Sequence, residues 1–389
     1  MTRILRIITS ADPRTGGPIE GARRVGEIWA NQGHRQDMLT LDPPGERHLA
    51  DYPGTITALG PPRGLGPLDR YRYAREMIPW LRAHAGNYDA VIVSGLWRYA
   101  ARGAAQALAG KAPPYFVFPH GMLDPWFRRA APLKHVAKQA SWWWAEGPLL
   151  AGARAVLFTS EEERRRAEGA FRPYRLRSAV VNYGTADLRS DGGDIEAFRQ
   201  AVPALGDRPF LLFLGRIHPK KGCDLLVQAF AAVAARDPSL DLVIAGPDDV
   251  GLVAGLRSAA QRAGLAARIH FPGMLTGTSK SGALRAASAF VLPSHQENFG
   301  IAVAEALAAG TPVLISDQVA IWREVAADGA GLVAPDTLLG TIDLLTRFLD
   351  CDPEQRLAMR RAARACFTAR FHIDRAADSL RLLIEREIA

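Results

Sequence analysis

Short apolar runs alternate with amphipathic stretches along the whole 389-residue chain. This alternation is typical of βα units built around a parallel sheet, so the expected fold class is α/β. In the first half the runs predict strands at Leu5–Ile8, Met38–Leu41, Ala90–Val93, Tyr115–Phe118, Ala155–Thr159 and Ala179–Val181. In the second half they predict strands at Phe210–Leu214, Asp241–Ala245, Ile269–Phe271, Phe290–Pro293, Pro312–Ile315 and Gly331–Val333.

A chain of this length exceeds what one compact core supports, so two domains are expected. The polar segment Leu188–Asp194, which carries a Gly pair, suits a linker between them. We predict one doubly wound domain over residues 1–187 and a second over residues 188–372. The last amphipathic segment could pack on either half, and we assign residues 373–389 to the first domain. The Pro- and Gly-rich stretch from Pro43 to Pro67 is predicted to be a long surface loop.

The most informative motif begins at Ser294, where Glu297 and Glu305 stand eight positions apart. A strand-like run precedes it and a helix-like run follows, so Glu297 is expected in a loop and Glu305 in the second turn of a helix. The unpaired N–H groups of a helix start bind anions such as phosphate. A carboxylate beside phosphate must bind a cation or something uncharged, such as hydroxyl groups. A nucleotide-sugar fits this description, although two ordinary surface glutamates would give the same spacing.

Two cations follow the first predicted strand of the second half. Phe210–Leu214 runs directly into a Gly-Arg step at Arg216 and, five residues later, Lys221 precedes another glycine. Both side chains can make charge-assisted bonds to a diphosphate. A basic surface loop, or an Arg216 paired with a structural acid, is the alternative, but the position at a strand end favours ligand binding. Lys220 is interpreted as a solvated side chain.

Two segments of the first half also follow strands. The pair Gly16-Gly17 would let backbone N–H groups approach a ligand. It is not a full GxGxxG motif, and no acidic residue stands at the dinucleotide spacing, so NAD binding has little support. His120 follows the strand Tyr115–Phe118 and can donate or accept a hydrogen bond at neutral pH. A turn histidine bonded to the backbone is the alternative.

Composition and charge narrow the choice of partner. Apolar residues make up 48% of the chain and charged residues 23%, as in ordinary globular proteins. The net charge of +8 favours anionic partners, namely nucleotides, acidic lipid headgroups or nucleic acid. No helix-turn-helix, RNP or finger pattern supports nucleic acid.

Cys223, Cys351 and Cys366 form no CxxC motif, which predicts neither zinc nor a disulfide framework and fits a reducing cytosol. The first apolar run is short and broken by Arg6, which argues against a signal peptide.

Five features follow one another along the chain in this order: Gly16-Gly17, His120-Gly121, Gly215-Arg216 with Lys221-Gly222, Ala245-Gly246-Pro247, and the pair Glu297 and Glu305. Together they resemble the retaining, GT-B-fold glycosyltransferases of family 4, and the resemblance extends from the first strand to the last helix. The segment Pro119–Trp126 is similar to a subgroup found in bacterial surface-polysaccharide assembly. The resemblance implies the GT-B fold, in which two doubly wound Rossmann-like domains face each other across a cleft.

The resemblance also implies a role for each residue. Arg216 and Lys221 would hold the donor diphosphate and stabilise the leaving nucleoside diphosphate. Glu297 would contact hydroxyl groups of the sugar, and Glu305 those of the ribose. His120 would lie near the reacting sugar, donating to a hydroxyl or easing charge at the transition state.

The remaining implied contacts are made by backbone. Gly17 would approach the phosphates, and the amides of Phe299, Gly300 and Ile301 would meet the sugar or the β-phosphate. Asn298 stands where a small residue is commoner in the family, and Val181–Gly184 replaces a Pro-Asn-Gly turn. Chemistry in this family is usually metal-independent and no DxD motif is present. We therefore expect no metal and no cofactor beside the nucleoside-diphosphate sugar.

The segment Trp126–Trp144 combines cations with aromatic residues, and Pro132 suits the first position of a helix. At helical spacing one face carries Leu133, Val136, Ala137, Ala140, Trp143 and Trp144. The opposite face carries Lys134, Lys138 and Ser141, with Trp142 near its border. This pattern suits the headgroup layer of a membrane. The residues predicted to contact an anionic membrane on the acceptor side are Arg128, Arg129, Lys134, Lys138 and Trp142. Alternatively, the apolar face is core and the lysines are simply solvated.

We therefore predict a cytoplasmic glycosyltransferase that is peripheral on the inner face of the cell membrane. It would move a sugar, with retention, from a nucleoside-diphosphate donor to an acceptor, either a saccharide or a saccharide linked to polyprenyl diphosphate, with the lipid-linked form favoured, in exopolysaccharide or lipopolysaccharide biosynthesis. The alternatives are a nucleotide-sugar epimerase, a phosphorylase, or a catalytically silent nucleotide-sugar-binding subunit of an assembly complex. No nucleic-acid partner is expected.

Overall fold

The structure is a computed structural model that describes residues 1–15, 17–50, 52–62, 64, 71–110, 112–125, 128, 132–188 and 192–388. The chain divides into two compact units, Met1–Gly184 with Ile373–Ala389 (unit 1) and Thr185–His372 (unit 2). Each unit contains one parallel sheet with flanking helices, which confirms the predicted α/β class. None of the helices in the described residues is both long enough and apolar enough to cross a bilayer.

The sheet of unit 1 has seven parallel strands in the order β3-β2-β1-β4-β5-β6-β7. Its strands are β1 Arg3–Ile8, β2 Arg35–Thr40, β3 Ile56–Ala58, β4 Ala90–Ser94, β5 Tyr115–Phe118, β6 Ala155–Phe158 and β7 Ser178–Val180. The described helices of this unit are α1 Gly17–Asn31, α2 Met77–His84, α3 Tyr99–Leu108, α4 Pro132–Ser141, α5 Gly147–Gly152, α6 Glu161–Ala167 and, from the chain end, α15 Ile373–Ile388. A π-helical turn, Trp142–Glu146, joins α4 to α5.

The strand β3 corrects the loop predicted from Pro43 to Pro67. It pairs in parallel with β2 at the edge of the sheet, and its three residues are only half-buried. An edge strand of this length buries too little to leave an apolar run in the sequence, and the surrounding prolines and glycines favoured a loop. Residues 51, 63 and 65–67 of that stretch lie outside the described residues.

The sheet of unit 2 has six parallel strands in the order β10-β9-β8-β11-β12-β13. Its strands are β8 Phe210–Leu214, β9 Asp241–Ala245, β10 Ile269–Gly273, β11 Ala289–Leu292, β12 Val313–Ser316 and β13 Gly331–Ala334. The described helices are α7 Asp194–Ala201, α8 Cys223–Val233, α9 Val253–Arg262, α10 Gly277–Ala286, α11 Ile301–Ala308, α12 Trp322–Ala327, α13 Leu338–Asp350 and α14 Pro353–Cys366.

The central strands were predictable because helices cover both faces of each sheet. All five residues of β8 are buried, as are all those of β4, β9 and β11. A strand buried on both faces is a continuous apolar run without alternation. In both sheets the strand order reverses once, between β1 and β4 in unit 1 and between β8 and β11 in unit 2. Ligands of doubly wound sheets bind outside the carboxyl ends of the strands at such a reversal.

The ends of β8 and β9 approach each other closely at two glycines. A Cβ atom at Gly246 would lie 1.8 Å from the carbonyl oxygen of Gly215. On either side of this contact, Gly215 N–H donates to Ala245 (3.0 Å) and Ile217 N–H donates to Pro247 (2.8 Å). Only glycine fits at position 246, and the contact fixes the backbone that carries Arg216.

We expect Gly246→Ala to destabilise unit 2 by about 1–3 kcal/mol, because the added methyl group overpacks rigid backbone. The free energy of unfolding from urea denaturation measures this effect. Gly255→Ala is the matched control, since a Cβ atom at Gly255 in α9 meets nothing within 4 Å. That control should be neutral or stabilising by ~0.5–1 kcal/mol. Equal stability of wild type and Gly246→Ala would contradict the close approach.

Candidate functional site

In unit 2 the loops that follow β8 and β11 lie side by side at the reversal of strand order. Gly222 has φ 65°, and a Cβ atom there would lie 2.2 Å from the carbonyl oxygen of Pro293. Beside this contact, His295 N–H donates to the carbonyl oxygen of Lys220 at 2.8 Å. The backbone therefore holds the two loops together, and with them the side chains that follow each strand.

Lys221 and Glu297, which belong to these two loops, form an ion pair between Nζ and Oε2. Glu297 is also fixed through its backbone, because its N–H donates to Gln318 (3.2 Å) and its carbonyl oxygen accepts from Ala320 (3.1 Å), both after β12. The carboxylate is thus attached to two neighbouring strand ends and faces a cation. This is the environment in which a carboxylate can remain beside an anionic ligand.

Glu305 lies in the second turn of α11, as the sequence predicted. Its Oε1 atom accepts a hydrogen bond from Lys280 Nζ at 2.6 Å. Sequence reasoning missed Lys280, which lies 25 positions earlier on α10 and belongs to no motif. Both acidic residues of the predicted pair are therefore bonded to a lysine from another segment.

The start of α11 is shaped by Gly300, which has φ 82°. A Cβ atom at this position would lie 3.4 Å from Glu297 Cγ, in a conformation that other residues rarely adopt. The Phe299 side chain is buried at 4% exposure and meets Phe371 edge-on at 5.6 Å. Only the backbone of Phe299 is therefore left for a ligand, while Asn298 and Ile301 are half-buried. The first N–H groups of any helix have no partner within the helix, which makes this terminus suitable for an anion.

Arg216 is exposed, and among the described residues it bonds to no carboxylate. The alternative that Arg216 pairs with a structural acid is therefore wrong for the described part of the chain. Lys220 is not simply solvated, because its Nζ donates to Gln296 Oε1 at 3.0 Å. Burial, and then the charges of Arg216, Lys220 and Lys221, lower the pKa of His218. This edge of the sheet is consequently positive and lacks a fixed counter-ion at Arg216.

In unit 1 the structure connects two predicted residues through a third that sequence reasoning missed. Tyr183 Oη donates to the carbonyl oxygen of Gly17, the first residue of α1, at 3.2 Å. The same ring meets His120 edge-on, with 6.3 Å between centroids. A Cβ atom at Gly21 would lie 2.6 Å from Tyr183 Oη, so α1 packs tightly on the tyrosine. Gly16 lies outside the described residues.

A buried carboxylate holds the turn that presents His120. His120 itself has φ 49°, in the left-handed region. The next residue, Gly121, donates its N–H to Glu163 Oε1 at 2.7 Å. The other oxygen of Glu163 accepts from both N–H and Oγ of Thr159, at 2.7 Å each. The turn around His120 is thus held by its neighbours. The His120 Nε2 atom itself is buried and has no hydrogen-bond partner among the described residues.

A buried arginine lies behind His120. Arg6 on β1 is 3% exposed and donates to Gln36 Oε1 (3.0 Å) and Ser94 Oγ (3.2 Å), but it pairs with no carboxylate among the described residues. Its guanidinium carbon lies 5.7 Å from the Phe118 ring, which stacks on His120 at 5.2 Å. Burial, and secondly the charge of Arg6, lower the pKa of His120 to about 3. His120 is therefore a neutral imidazole at physiological pH.

Comparison with known proteins matches both units to glycosyltransferases. The family model described as "Glycosyl transferase 4-like domain" matches residues 16–184, and that described as "Glycosyl transferases group 1" matches residues 194–365. The chain belongs to the family 4-like GT-B glycosyltransferases. The predicted fold and family are thereby confirmed.

Similar proteins support the same family assignment. D-inositol 3-phosphate glycosyltransferase 2 of Catenulispora acidiphila is 36% identical over 160 residues, which cover 39% of this chain and 37% of the relative. D-inositol 3-phosphate glycosyltransferase of Nocardia farcinica is 31% identical over 227 residues, covering 57% and 50%. The matches thus span half or less of the relatives' length. A crystal structure of Anabaena HepE in complex with UDP and glucose is 18% identical, covers 99% of this chain and 100% of its own, and has a TM-score of 0.76.

The helix predicted to contact a membrane has the reverse orientation in the structure. Helix α4 begins at Pro132, as predicted, but Trp142 is 1% exposed and its indole N–H donates to Pro173 at 2.9 Å. Lys138 Nζ lies 4.6 Å from the centre of the Trp97 ring. The prediction that Trp142 and Lys138 face a membrane is therefore wrong, because both pack against the protein. Arg128 and Lys134 are exposed, and Arg129 lies outside the described residues.

Within the described residues, one group of potential metal ligands lies after β2. His48 approaches Asp42 Oδ2 through Nε2 and Glu46 Oε2 through Nδ1, at 3.4 Å each. Asp42 already accepts from Ser10 Oγ (2.7 Å) and Ala11 N–H (2.6 Å). These bonds fix the loop between β1 and α1, so the group is better explained as an anchor for that loop than as a metal centre.

We expect His120→Asn to make the stability of the protein less sensitive to acid. The pKa of His120 is lowered to about 3 in the folded state, so the unfolded state binds more protons below about pH 6.5. The stabilisation by neutral His120 is complete above that pH and is lost as the pH falls towards 3. Asparagine cannot titrate and tolerates the left-handed backbone.

Urea unfolding of wild type and His120→Asn at pH 7 and pH 5 measures this difference. The wild type should lose more free energy of unfolding between the two pH values than the variant. Equal losses would show that His120 is not buried in its neutral form.

Proposed function

We propose that this protein transfers a sugar from a nucleoside-diphosphate donor to a saccharide acceptor, with retention of the anomeric configuration. The observation that supports it is the arrangement in unit 2, where two carboxylates are each bonded to a lysine, while Arg216 pairs with no carboxylate in the part of the chain that the structure describes. A phosphate needs the cations, and hydroxyl groups need the carboxylates. A nucleotide-sugar supplies both in one molecule.

The chemistry explains why cations would stand at this strand end. Glycosyl transfer passes through an oxocarbenium-like state while negative charge grows on the leaving phosphate. Preorganised donors aimed at that developing charge are usually the largest catalytic term. Arg216 and Lys221 are the residues proposed for this role, with Arg216 able to bind two phosphate oxygens at once.

The two lysine–glutamate pairs would allow acidic groups to remain beside the diphosphate. Lys221 would lie between Glu297 and the phosphate, so that Glu297 can accept from sugar hydroxyls without repelling the donor. Lys280 would do the same for Glu305 and the ribose. Gly17, together with the backbone at Asn298, Phe299, Gly300 and Ile301, would complete the donor contacts that the resemblance implies.

His120 would act on the sugar as a neutral group. Its unpartnered Nε2 atom is available to a hydroxyl group, and its lowered pKa keeps a second positive charge away from an oxocarbenium ion. Tyr183, which meets both Gly17 and His120, would position them. Its pKa is raised to about 12 by burial, so its hydroxyl group remains a donor.

The donor nucleotide and the acceptor class are proposed from different observations. The Anabaena neighbour was crystallised with UDP and glucose, which makes UDP the first nucleotide to test. For the acceptor we propose a saccharide carried on a lipid diphosphate at the inner face of the cell membrane, in polysaccharide assembly, without a metal ion. The chain's net charge of +8 suits such anionic partners.

A silent nucleotide-sugar-binding subunit and an epimerase remain the competing functions. Slow hydrolysis of the donor without acceptor, unaffected by EDTA, is expected of the transferase and not of a silent subunit. Proton NMR of the product should show the anomeric configuration of the donor. An inverted product would exclude retention, and conversion of one free nucleotide-sugar into its epimer would favour the epimerase.

We expect a nucleoside diphosphate to raise the melting temperature of the protein, because a ligand that binds only the native state stabilises it. The measurement is a thermal-shift panel of UDP, GDP, ADP and their sugar conjugates. One base should raise the melting temperature clearly more than the others, and its monophosphate less than its diphosphate. No shift with any nucleotide would contradict a donor site.

We expect Arg216→Ala to slow turnover by about 10²–10³-fold, equivalent to about 3 kcal/mol in the barrier, by analogy with loss of one oxyanion donor. The measurement is kcat with the nucleotide-sugar chosen by the thermal-shift panel. Arg236→Ala is the matched control, since Arg236 is an exposed arginine of the same unit that pairs with Asp350. Unchanged turnover in Arg216→Ala, or an equal loss in the control, would remove Arg216 from the proposed site.

A further inference from the structure

Helix α4 and the π-helical turn after it carry an apolar surface that faces away from the protein. Not one residue of α4 is buried. Leu133 is 87% exposed, Val136 67%, Trp143 64% and Trp144 55%. Together with the exposed Ala137 and Ala140, these residues form one continuous helical face, which we call the apolar ridge. Single exposed apolar residues are ordinary, but an entire helical face is not.

The polar side of α4 holds the helix against unit 1. His135 stacks on Phe171 at 4.8 Å between ring centres, and Lys138 lies over Trp97. Gln139 exchanges two hydrogen bonds with the backbone of Arg172, at 2.7 and 3.1 Å. The orientation is therefore fixed by specific contacts, and burying the ridge inside unit 1 would break them.

We propose that the apolar ridge inserts into the headgroup and upper acyl layer of an anionic membrane. The sequence from Arg128 to Ala145 contains four cations, Arg128, Arg129, Lys134 and Lys138, and no Asp or Glu. Lys134 and Arg128 are exposed, whereas Lys138 packs over Trp97. An apolar helical face with flanking cations and tryptophans is the pattern of helices that lie in the membrane interface.

The end of the ridge fits the boundary between acyl chains and headgroups. The Arg102 guanidinium lies over the Trp144 ring at 4.3 Å, and the Trp143 indole N–H donates to the carbonyl oxygen of Arg172 at 3.0 Å. Each tryptophan thus combines an exposed apolar ring with a polar or charged partner. Amphipathic aromatic side chains of this kind are enriched at membrane interfaces.

The same charges argue against a second copy of the chain as the partner. A twofold contact through the ridge would bring identical cations towards each other. The acidic residue of the segment, Glu146, ends the π-helical turn and is buried, so it does not compensate them across such a contact. Anionic headgroups remove that repulsion. The sequence predicted binding through a lysine face, whereas in the structure the apolar face is outermost, so insertion is expected to dominate and lysine contacts to assist.

Insertion can be tested by co-sedimentation of the purified protein with vesicles of equal parts phosphatidylcholine and phosphatidylglycerol. The double variant Leu133→Glu/Val136→Glu should bind at least about tenfold more weakly than wild type, because two charges replace inserted apolar groups. Leu382→Glu on α15 is the matched control, since Leu382 is a 58% exposed leucine of the same unit. It should bind like wild type. Circular dichroism melting confirms that both variants fold.

Salt and oligomeric state distinguish the remaining explanations. Wild-type binding should persist in part at high salt, since salt screens headgroup attraction but not apolar insertion. Equal binding by wild type and the double variant would overturn the proposal. It would also be overturned by a wild-type dimer in light scattering that the double variant abolishes.

Membrane insertion would bring the protein to the lipid-linked acceptor of the proposed function, and its biological role rests on that function. The binding assay uses neither donor nor acceptor, so the two can fail separately. The double variant should keep wild-type hydrolysis of the donor in solution while losing vesicle binding. Loss of donor hydrolysis together with vesicle binding in the double variant would contradict a role of the ridge confined to the membrane.

Discussion

The pairing of Glu297 with Lys221 and of Glu305 with Lys280 is the constraint on which the candidate site depends. Without these lysines, two carboxylates at the carboxyl ends of a parallel sheet would repel any phosphate bound there. With them, the same edge can accept hydroxyl groups and a diphosphate together. The positions are set by backbone, since Gly222 and Gly300 each adopt a left-handed conformation, and a side chain at Gly222 would collide with the carbonyl oxygen of Pro293. Charge compensation and close backbone approach are thus parts of one arrangement.

In unit 1 the main electrostatic feature is the buried positive charge of Arg6. Arg6 is a charge buried in a strand, which is costly unless its donors are satisfied. Gln36, Ser94 and the face of Phe118 provide partial compensation without neutralising the charge. The remaining positive field and burial keep His120 neutral. A buried residue of β1 therefore influences the titration of a group at the end of β5.

The sequence predicted the central strands because both sheets are covered on both faces. It placed Glu305 in the second turn of α11 because a strand-like run is followed there by a helix-like run. It missed β3, whose three half-buried residues leave no periodic signal. Lys280 was also missed, because its bond to Glu305 joins two helices with no shared motif. Tyr183 and Arg6 were missed for a related reason, since each contributes through tertiary contacts that spacing along the chain does not encode.

Helix α4 shows a more general limit. Helical spacing grouped the residues of the apolar face correctly. Lys134, assigned to the opposite face, is exposed, whereas His135 and Gln139 make inward contacts. Periodicity does not say which face meets the protein. Phe171, Arg172 and Trp97 decide that question, and they belong to other segments. The polar face packs inward through stacking and hydrogen bonds, against the usual expectation for an amphipathic helix.

The central claim, that carboxylates of unit 2 bind hydroxyl groups while cations bind the diphosphate, can be tested most directly by calorimetry. The affinity of the preferred nucleoside diphosphate is compared with that of its 2′,3′-dideoxy analogue, for wild type and for Glu305→Gln. We expect wild type to bind the dideoxy analogue more weakly than the parent nucleotide. Glu305→Gln should bind both forms with nearly equal, weakened affinity. The same loss in wild type and variant, or tighter nucleotide binding on removal of the carboxylate charge, would contradict it.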